Sequence, residues 1–504
     1  MRLPSVASSS LSRFVPSKTL SPSALPPTVR LFAIGCMTSI SGLLYGLDTG
    51  SIGPITQMNQ FTNTAGHLSS SLQGFYVASI LLSASMSSLC SGYIADRISR
   101  RFAMGIGALV FMLGTIISAS SHTLGSLFTA RLITGIGAGQ TISVASIYLV
   151  EIATKETRGK LACLLQFFIT IGVMSGYFIT YGTQKLSSSM AWRLPFIIQT
   201  IFAALLAIMI VFFIPFSPRW LIQQDREDLA MDVLRQLRLS RPSPIPNQEY
   251  EAQDFLLRHE FDEVKSAVLE NRRMATRQAS YAELFSKRYR RRSLLGIGLS
   301  TFQQLSGIDV ILYFAPVVFA SIFTTQNGAF LASGGSGIVL VIATIPAQIW
   351  VDKWGRKPPM VIGGACMALC FLIIGSLFAA YGVKDGEQVL LTNSPAKYTV
   401  VALIYIFIAL FSVTWAVVCR IYSVEIMPTR MRSRAAAAQQ LANWMTNFAV
   451  ALVAPIFLRA SPSGPYFLFG GSLACSTLIC LTFMRETKGK TLEEIADLFD
   501  ERTS

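Results

Sequence analysis

A carboxylate inside an apolar segment is the first residue of this sequence that demands a partner. Asp48 sits in "LLYGLDTGSIG" (43–53), within a run over 31–55 that otherwise reads as membrane-spanning. A charge at the bilayer centre costs ~2.5–3.5 kcal/mol on insertion scales, so an intramembrane Asp marks a functional site by default. Arg131 is the candidate partner. Asp48 lies about seven residues before the outer end of its segment, and Arg131 about seven after the outer start of the fourth apolar segment. Each is then roughly 10 Å deep at 1.5 Å per residue, and the two can meet. Burial and a neighbouring guanidinium act on a carboxylate in opposite directions, so small rearrangements can change its protonation.

A second set of charged residues recurs at segment ends. "GYIADRISRR" after the second apolar segment matches "VDKWGRK" after the eighth, and "EIATKETR" after the fourth matches "EIMPTRMR" after the tenth. The repetition indicates an internal duplication. Asp96, Arg97, Arg101, Glu151, Arg158, Asp352, Arg356, Glu425 and Arg432 are the candidate members of a cytosolic gate. Such groups can pair across a bundle interface when the inner side is shut and separate when it opens, biasing a two-state equilibrium. Topology signals account for the Arg and Lys residues, but not for acids at matched positions.

The elements that must hold these residues follow from composition. Of 504 residues, 52% are hydrophobic and 14% charged, far below the roughly 25% charged usual in soluble domains. Apolar runs of membrane-spanning length are expected near 31–55, 74–94, 103–121, 125–149, 161–182, 195–215, 293–323, 331–351, 359–382, 398–424, 435–458 and 464–484. The expected fold is an all-α polytopic membrane protein of twelve transmembrane helices. The net charge of +15 alternates by loop instead of forming one patch, which argues against a nucleic-acid partner. Basic residues gather in alternate connections, so the positive-inside rule places both termini in the cytosol. The run "KRYRRR" (287–292) reads as a topology and headgroup anchor. The cysteines all fall in apolar segments and show no disulfide or metal spacing. Three His and no nucleophile–base pairing leave an enzyme without support. The expected units are a disordered cytosolic tail over 1–30, a six-helix bundle over 31–217, a cytosolic helical loop over 218–292, a second six-helix bundle over 293–484 and a cytosolic tail over 485–504.

Taken in order, "GLLYGLDTG", "GYIADRISRR", "ARLITGIGAG", "IYLVEIATKETRGKL", "WRLPF", "PFSPRWL", "QQLSGIDVILYFAP", "DKWGRK", "EIMPTRMRSR", "NWMTNF" and "RETKGKTLEEI" resemble the sugar porter family of the major facilitator superfamily, over roughly residues 30–496. The resemblance implies two six-helix bundles around a central site, a small cytosolic helical domain and transport by alternating access. It implies substrate contacts at Gln166, Gln303, Gln304, Tyr313, Asn443 and Trp444, where amides replace the hydration of hydroxyls and an aromatic face covers a sugar ring. In proton-coupled members, residues matching Asp48 and Arg131 form the coupling switch. The expected activity is therefore import of a monosaccharide or related polyol with a proton as coupling ion. No cofactor or metal is expected, and the chain is expected to be a monomer in the plasma membrane.

Departures from the family pattern are concentrated at the same places. Ser146 replaces a Pro, Phe216 a Glu, and Leu340 an Asn; Ala416 and Val417 replace a flexible Gly-Pro. Asp309 stands for a sugar-binding Asn and Arg420 for a ring-stacking Trp, which adds both residues to the candidate substrate site. An uncoupled facilitator, a carrier of a sugar acid bound through Arg420 and a transporter-like sugar sensor are the alternatives. If their helices are straight, Asp309 and Arg420 lie about 21 and 33 Å from the outer surface, too far apart to neutralise each other.

Overall fold

In hydrocarbon every backbone N–H and C=O must be satisfied within its own segment, so apolar runs of this length fold as helices. The computed structural model describes residues 26–154, 157–239, 248–275, 281–323, 325–385 and 388–488, together with Phe499. Its described residues include twelve helices long and apolar enough to cross a membrane. The chain is an all-α, multi-pass membrane protein. The tail before residue 26, most of the chain after residue 488 and the side chains of Arg158 and Asp352 lie outside the described residues.

The local signals that start each span are ordinary chemistry. The first span, Pro27–Thr56, opens with a proline at its first position, where no N–H is needed. The fourth, Leu124–Ile152, opens on a reciprocal Thr123–Ser126 capping box. Between the second span, Ser70–Ile98, and the third, Arg100–Ser120, a single residue makes the turn: Ser99, at φ 100°, whose hydroxyl accepts the Phe102 N–H. A side chain in that left-handed region is strained, and the strain fixes where the following arginines start.

Two spans expected to be continuous are broken. The seventh runs as Arg290–Gln304, Ile308–Tyr313 and Ala315–Ala320, interrupted at Gly307 with φ 81° and again before Pro316. The tenth runs as Ser394–Val413 and Trp415–Glu425. At Thr414 both the N–H (3.0 Å) and the hydroxyl (2.6 Å) go to the Leu410 carbonyl. A hydroxyl competing for a backbone acceptor bends a helix, so the break survives although Ala416 and Val417 stand in place of Gly-Pro. The straight helices assumed for the depths of Asp309 and Arg420 do not exist.

Small residues let neighbouring backbones touch. A Cβ on Gly46 or Gly50 of the first span would strike the carbonyls of Ile169 or Val173 on the fifth, Arg158–Thr183, and one on Gly172 would strike Leu43. This is the close helix packing available in lipid, where burial of apolar surface supplies no drive. At the end of the bundle remote from the termini the two halves meet just as closely: Gly53 lies against the Tyr313 carbonyl and Gly74 against that of Leu452. One apolar core runs through this junction, joining Ile52, Ile55 and Tyr76 to Ile311, Phe314 and Ala451. Toward the basic, terminus-bearing end the first half has a separate core, including Leu44, Ala108, Tyr148 and Leu206. The halves are sealed at the far end, and nearer the basic end they also touch, Gln348 of the eighth span, Gln326–Trp354, donating to the Cys163 carbonyl of the fifth (3.3 Å).

The loop between the halves forms helices Pro218–Gln223, Glu227–Arg238 and Gln248–Ala275. They enclose a small core of Leu221, Ile222, Leu234, Leu257 and Phe261. Arg238 ties this unit to the fourth span through the Ile152 carbonyl (3.0 Å) and to Glu260 (2.9 Å). One pairing the sequence reading did not anticipate is a two-stranded hairpin at the far end, Gly382–Asp385 with Gln388–Leu391. It is pinned to the seventh span by the Leu391 N–H on Ser321 (2.9 Å).

Candidate functional site: a buried ion pair beside an amide-lined cavity

The first and fourth spans bring Asp48 and Arg131 together as their depths required. Arg131 donates from Nη1 to Asp48 Oδ1 at 2.5 Å and from Nη2 to the Val77 carbonyl at 3.1 Å. The side chains are 2% and 1% exposed. The guanidinium lies 5.7 Å from the Tyr76 ring centroid. Each charge is the other's main compensation, so removing either strands its partner in a dry site.

Tyr45, one turn before Asp48, carries the chain from this pair into the cavity. Its hydroxyl shares a hydrogen bond with that of Tyr313 (3.1 Å), and its ring meets Trp444 edge to face at 5.5 Å. The sequence signal for Tyr45 was its spacing: residues i and i+3 share a helix face. The amides expected to bind substrate are joined in a chain. Gln304 donates to Asn443 Oδ1 (3.0 Å), and Asn443 donates to Gln303 Oε1 (3.0 Å) and the Ser300 carbonyl (3.2 Å). Gln303 in turn donates to the Trp415 carbonyl beside the break in the tenth span (3.0 Å). Gln303 and Asn443 are thereby engaged by protein and brace the two broken spans. Gln304 Oε1, Gln166 Oε1, Trp444 Nε1 and Asn447 Oδ1 are buried and have no hydrogen-bond partner among the described residues. Leaving such atoms unmet costs about 1–3 kcal/mol each, so the wall is unfinished without water or a ligand rich in hydroxyls.

Asp309 has a protein partner that the sequence reading did not assign. Asn447 donates to its Oδ2 at 2.5 Å. Asn447 follows Asn443 by one helical turn, and that i, i+4 spacing was the signal for it. Arg420 forms no ion pair with Asp309, as expected, although the depths assumed for them do not hold because both of their spans are broken, at Gly307 and at Thr414. Arg420 is exposed on the inner arm of the broken tenth span, between the buried residues Cys419 and Tyr422.

At the basic end the expected charges pair differently from the expectation. Arg100, and not Arg101 or Arg97, binds Asp96 (2.8 Å) and Glu151 (3.0 Å), and Ser217 donates to the other oxygen of Glu151. Adjacent helical residues point about 100° apart, so only one of Arg100 and Arg101 can face Glu151. Arg101 instead caps the Ile210 and Val211 carbonyls of the sixth span and lies 5.0 Å from the centroid of Phe216. Arg97 covers the Tyr93 ring. In the second half Arg356 grips Glu425 with two nitrogens (3.0 and 3.3 Å), and Thr487 donates to the same carboxylate (2.8 Å). Arg432 donates to the Met427 carbonyl. These pairs lie within each half and not across the interface. The duplication is nonetheless exact in type, since Asp96–Arg100 and Asp352–Arg356 share one spacing. Glu486 closes the second cluster. Burial pushes its carboxyl up, but N–H groups of Lys357, Arg356, Lys488 and Thr487 outweigh this and hold it below the usual carboxylate range. It thereby caps the ninth span, Lys357–Tyr381.

Comparison with known proteins adds the following. A family model described as "Sugar (and other) transporter" matches residues 34–499. High-affinity glucose transporter 1 of Candida albicans is 29% identical over 489 residues, covering 95% of this chain and 87% of that protein. The high glucose sensor RGT2 of Saccharomyces cerevisiae is 30% identical over 494 residues, covering 95% of this chain and 62% of the sensor. The proton:xylose symporter XylE of E. coli, bound to 6-bromo-6-deoxy-D-glucose, superposes with a TM-score of 0.75 at 27% identity, covering 93% of this chain and 99% of the symporter.

Proposed function

The chain belongs to the sugar transporter family, a family of carriers and not of enzymes, and from that premise we propose that it moves a monosaccharide or related polyol inward across the plasma membrane together with a proton. The observation that carries this reading is the buried Asp48–Arg131 pair, at 2.5 Å, one helical turn from Tyr45 of the cavity wall. In this reading the basic end and both termini face the cytosol. A proton arriving from outside neutralises Asp48 and weakens its hold on Arg131, which keeps the Val77 carbonyl. The first and fourth spans then adjust against each other, and the adjustment reaches the cavity through Tyr45. The substrate supplies the hydrogen bonds that Gln166, Gln304, Trp444 and Asn447 lack. Closing the two halves around it uses the seam at the far end and the two charge clusters at the basic end in alternation. The structural neighbour that is a proton:xylose symporter supports the coupling.

The test is uptake of labelled D-glucose, D-xylose and L-arabinose by the purified protein in liposomes, with and without an inwardly directed proton gradient. Gradient-dependent accumulation is the expected result. Uptake that only equilibrates under the same gradient would make the protein a facilitator, and saturable binding without uptake would make it a sensor.

A further inference from the structure

The cavity contains one charge that the protein leaves uncompensated. Asp48 has Arg131, Asp309 has Asn447 and Glu425 has Arg356. Arg420 has neither a hydrogen bond nor an ion pair among the described residues, although its side chain is exposed. Snorkelling toward the basic end would have brought it to Glu425, five residues on, but that carboxylate is already gripped by Arg356 and Thr487. An unpaired cation at this depth is expensive and is retained where a ligand answers it. The other unmet atoms of the wall are one donor, Trp444 Nε1, and three acceptors, the amide oxygens of Gln166, Gln304 and Asn447.

A complementary ligand therefore carries several hydroxyls and one anionic group. We infer that the site takes a polyhydroxy carboxylate, a sugar acid, whose carboxylate is held by the forked N–H groups of Arg420 while its hydroxyls meet the amides and the Trp444 N–H. The fork matches a carboxylate in a bidentate manner, which a Lys ammonium cannot reproduce. An amino sugar fits poorly, because its ammonium would face the Arg420 charge. A neutral hexose would leave that charge unanswered. This inference rests on the transporter reading and narrows its substrate class.

The experiment is uptake of labelled D-glucuronate and labelled D-glucose by the full-length protein in liposomes, with D-gluconate, D-galacturonate and D-galactose as competitors, for wild type, Arg420→Gln and Arg420→Lys. Wild type is expected to favour the acids by tenfold or more in kcat/KM. Arg420→Gln should lower the acid-to-neutral ratio by about ten- to a hundredfold, the range expected for losing hydrogen bonds to a charged group; Arg420→Lys should recover part of it. A wild-type preference for neutral sugars, or an acid preference that persists in Arg420→Gln, overturns the inference and leaves sugar transport standing. If Arg420→Gln does not fold, the wild-type ratio decides alone. Failure of wild type to move or bind either class overturns the transporter reading along with it.

Discussion

The membrane interior of this protein holds two acid–guanidinium sets that differ in almost everything but residue type. Asp48 and Arg131 are nearly inaccessible, 2.5 Å apart and answered by each other. Asp309 and Arg420 form no such pair: the acid is tied to a neutral amide and the base is exposed. The first set can change only by a proton or by motion of the helices that carry it. The second can change by binding. Partner and solvent access, and not the chemistry of the side chains, separate the two sets, and the coupling and recognition roles proposed above follow that division.

The sharpest way to break this comparison is to remove each arginine in turn. Arg131→Leu strands a buried carboxylate and should destabilise by about 3–5 kcal/mol, whereas Arg420→Leu should cost under about 1 kcal/mol, because no ion pair is lost. Thermal unfolding of both variants in detergent is the measurement; equal losses would erase the distinction. Next in size is Asp48→Asn. The amide still bonds Arg131 but cannot cycle a proton, so gradient-driven accumulation should vanish while counterflow of substrate continues. Accumulation at the wild-type level would remove Asp48 from the coupling step. A smaller effect is expected of Asn447→Leu, which takes away the hydrogen bond to Asp309 and should weaken substrate binding by about 1.5–3 kcal/mol if the acid then swings toward Arg420. Unchanged affinity would mean that Asn447 does not hold the two charges apart. Smallest is Asp309→Asn, which should retain transport and alter the ranking of sugar stereoisomers a few-fold, read by competition against labelled substrate.

Which of these features the sequence disclosed follows a physical rule. Span number, the meeting of Asp48 with Arg131 and the all-α class were legible, because helix rise and bilayer thickness convert residue counts into depth. The breaks were not. Gly307 needs a positive φ, and Thr414 turns its hydroxyl onto Leu410; neither residue announces such a choice in a run that remains apolar on both sides. The gate was half legible. The sequence reading took Arg97 and Arg101 and passed over Arg100, although Asp352–Arg356 repeats the Asp96–Arg100 spacing; the one-residue turn at Ser99 is what sets Arg100 against Glu151. Asn447 and Tyr45 were readable as neighbours of Asn443 and Asp48 one turn away. The engagement of Gln303 and Asn443 by protein was not readable, since an amide that binds a ligand and one that braces a helix are the same residue in a sequence.

The placement of the breaks has a mechanical consequence. The spans of the first half run as unbroken rods, and the first and fifth are locked backbone to backbone at Gly46, Gly50 and Gly172. The second half has its joints at Gly307, Phe314 and Thr414; the amides of Gln303, Gln304 and Asn443 tie the jointed seventh span to the eleventh, and Gln303 ties it to the jointed tenth. Compliance is thus confined to one side of the substrate. The stiff half serves as the anvil on which the Asp48–Arg131 pair is mounted, and the jointed half is the part that yields. A bound solute that tightens the amide chain would stiffen the yielding half selectively, so backbone amide exchange around residues 304–316 and 411–418 should slow on binding, while the first span keeps its rate.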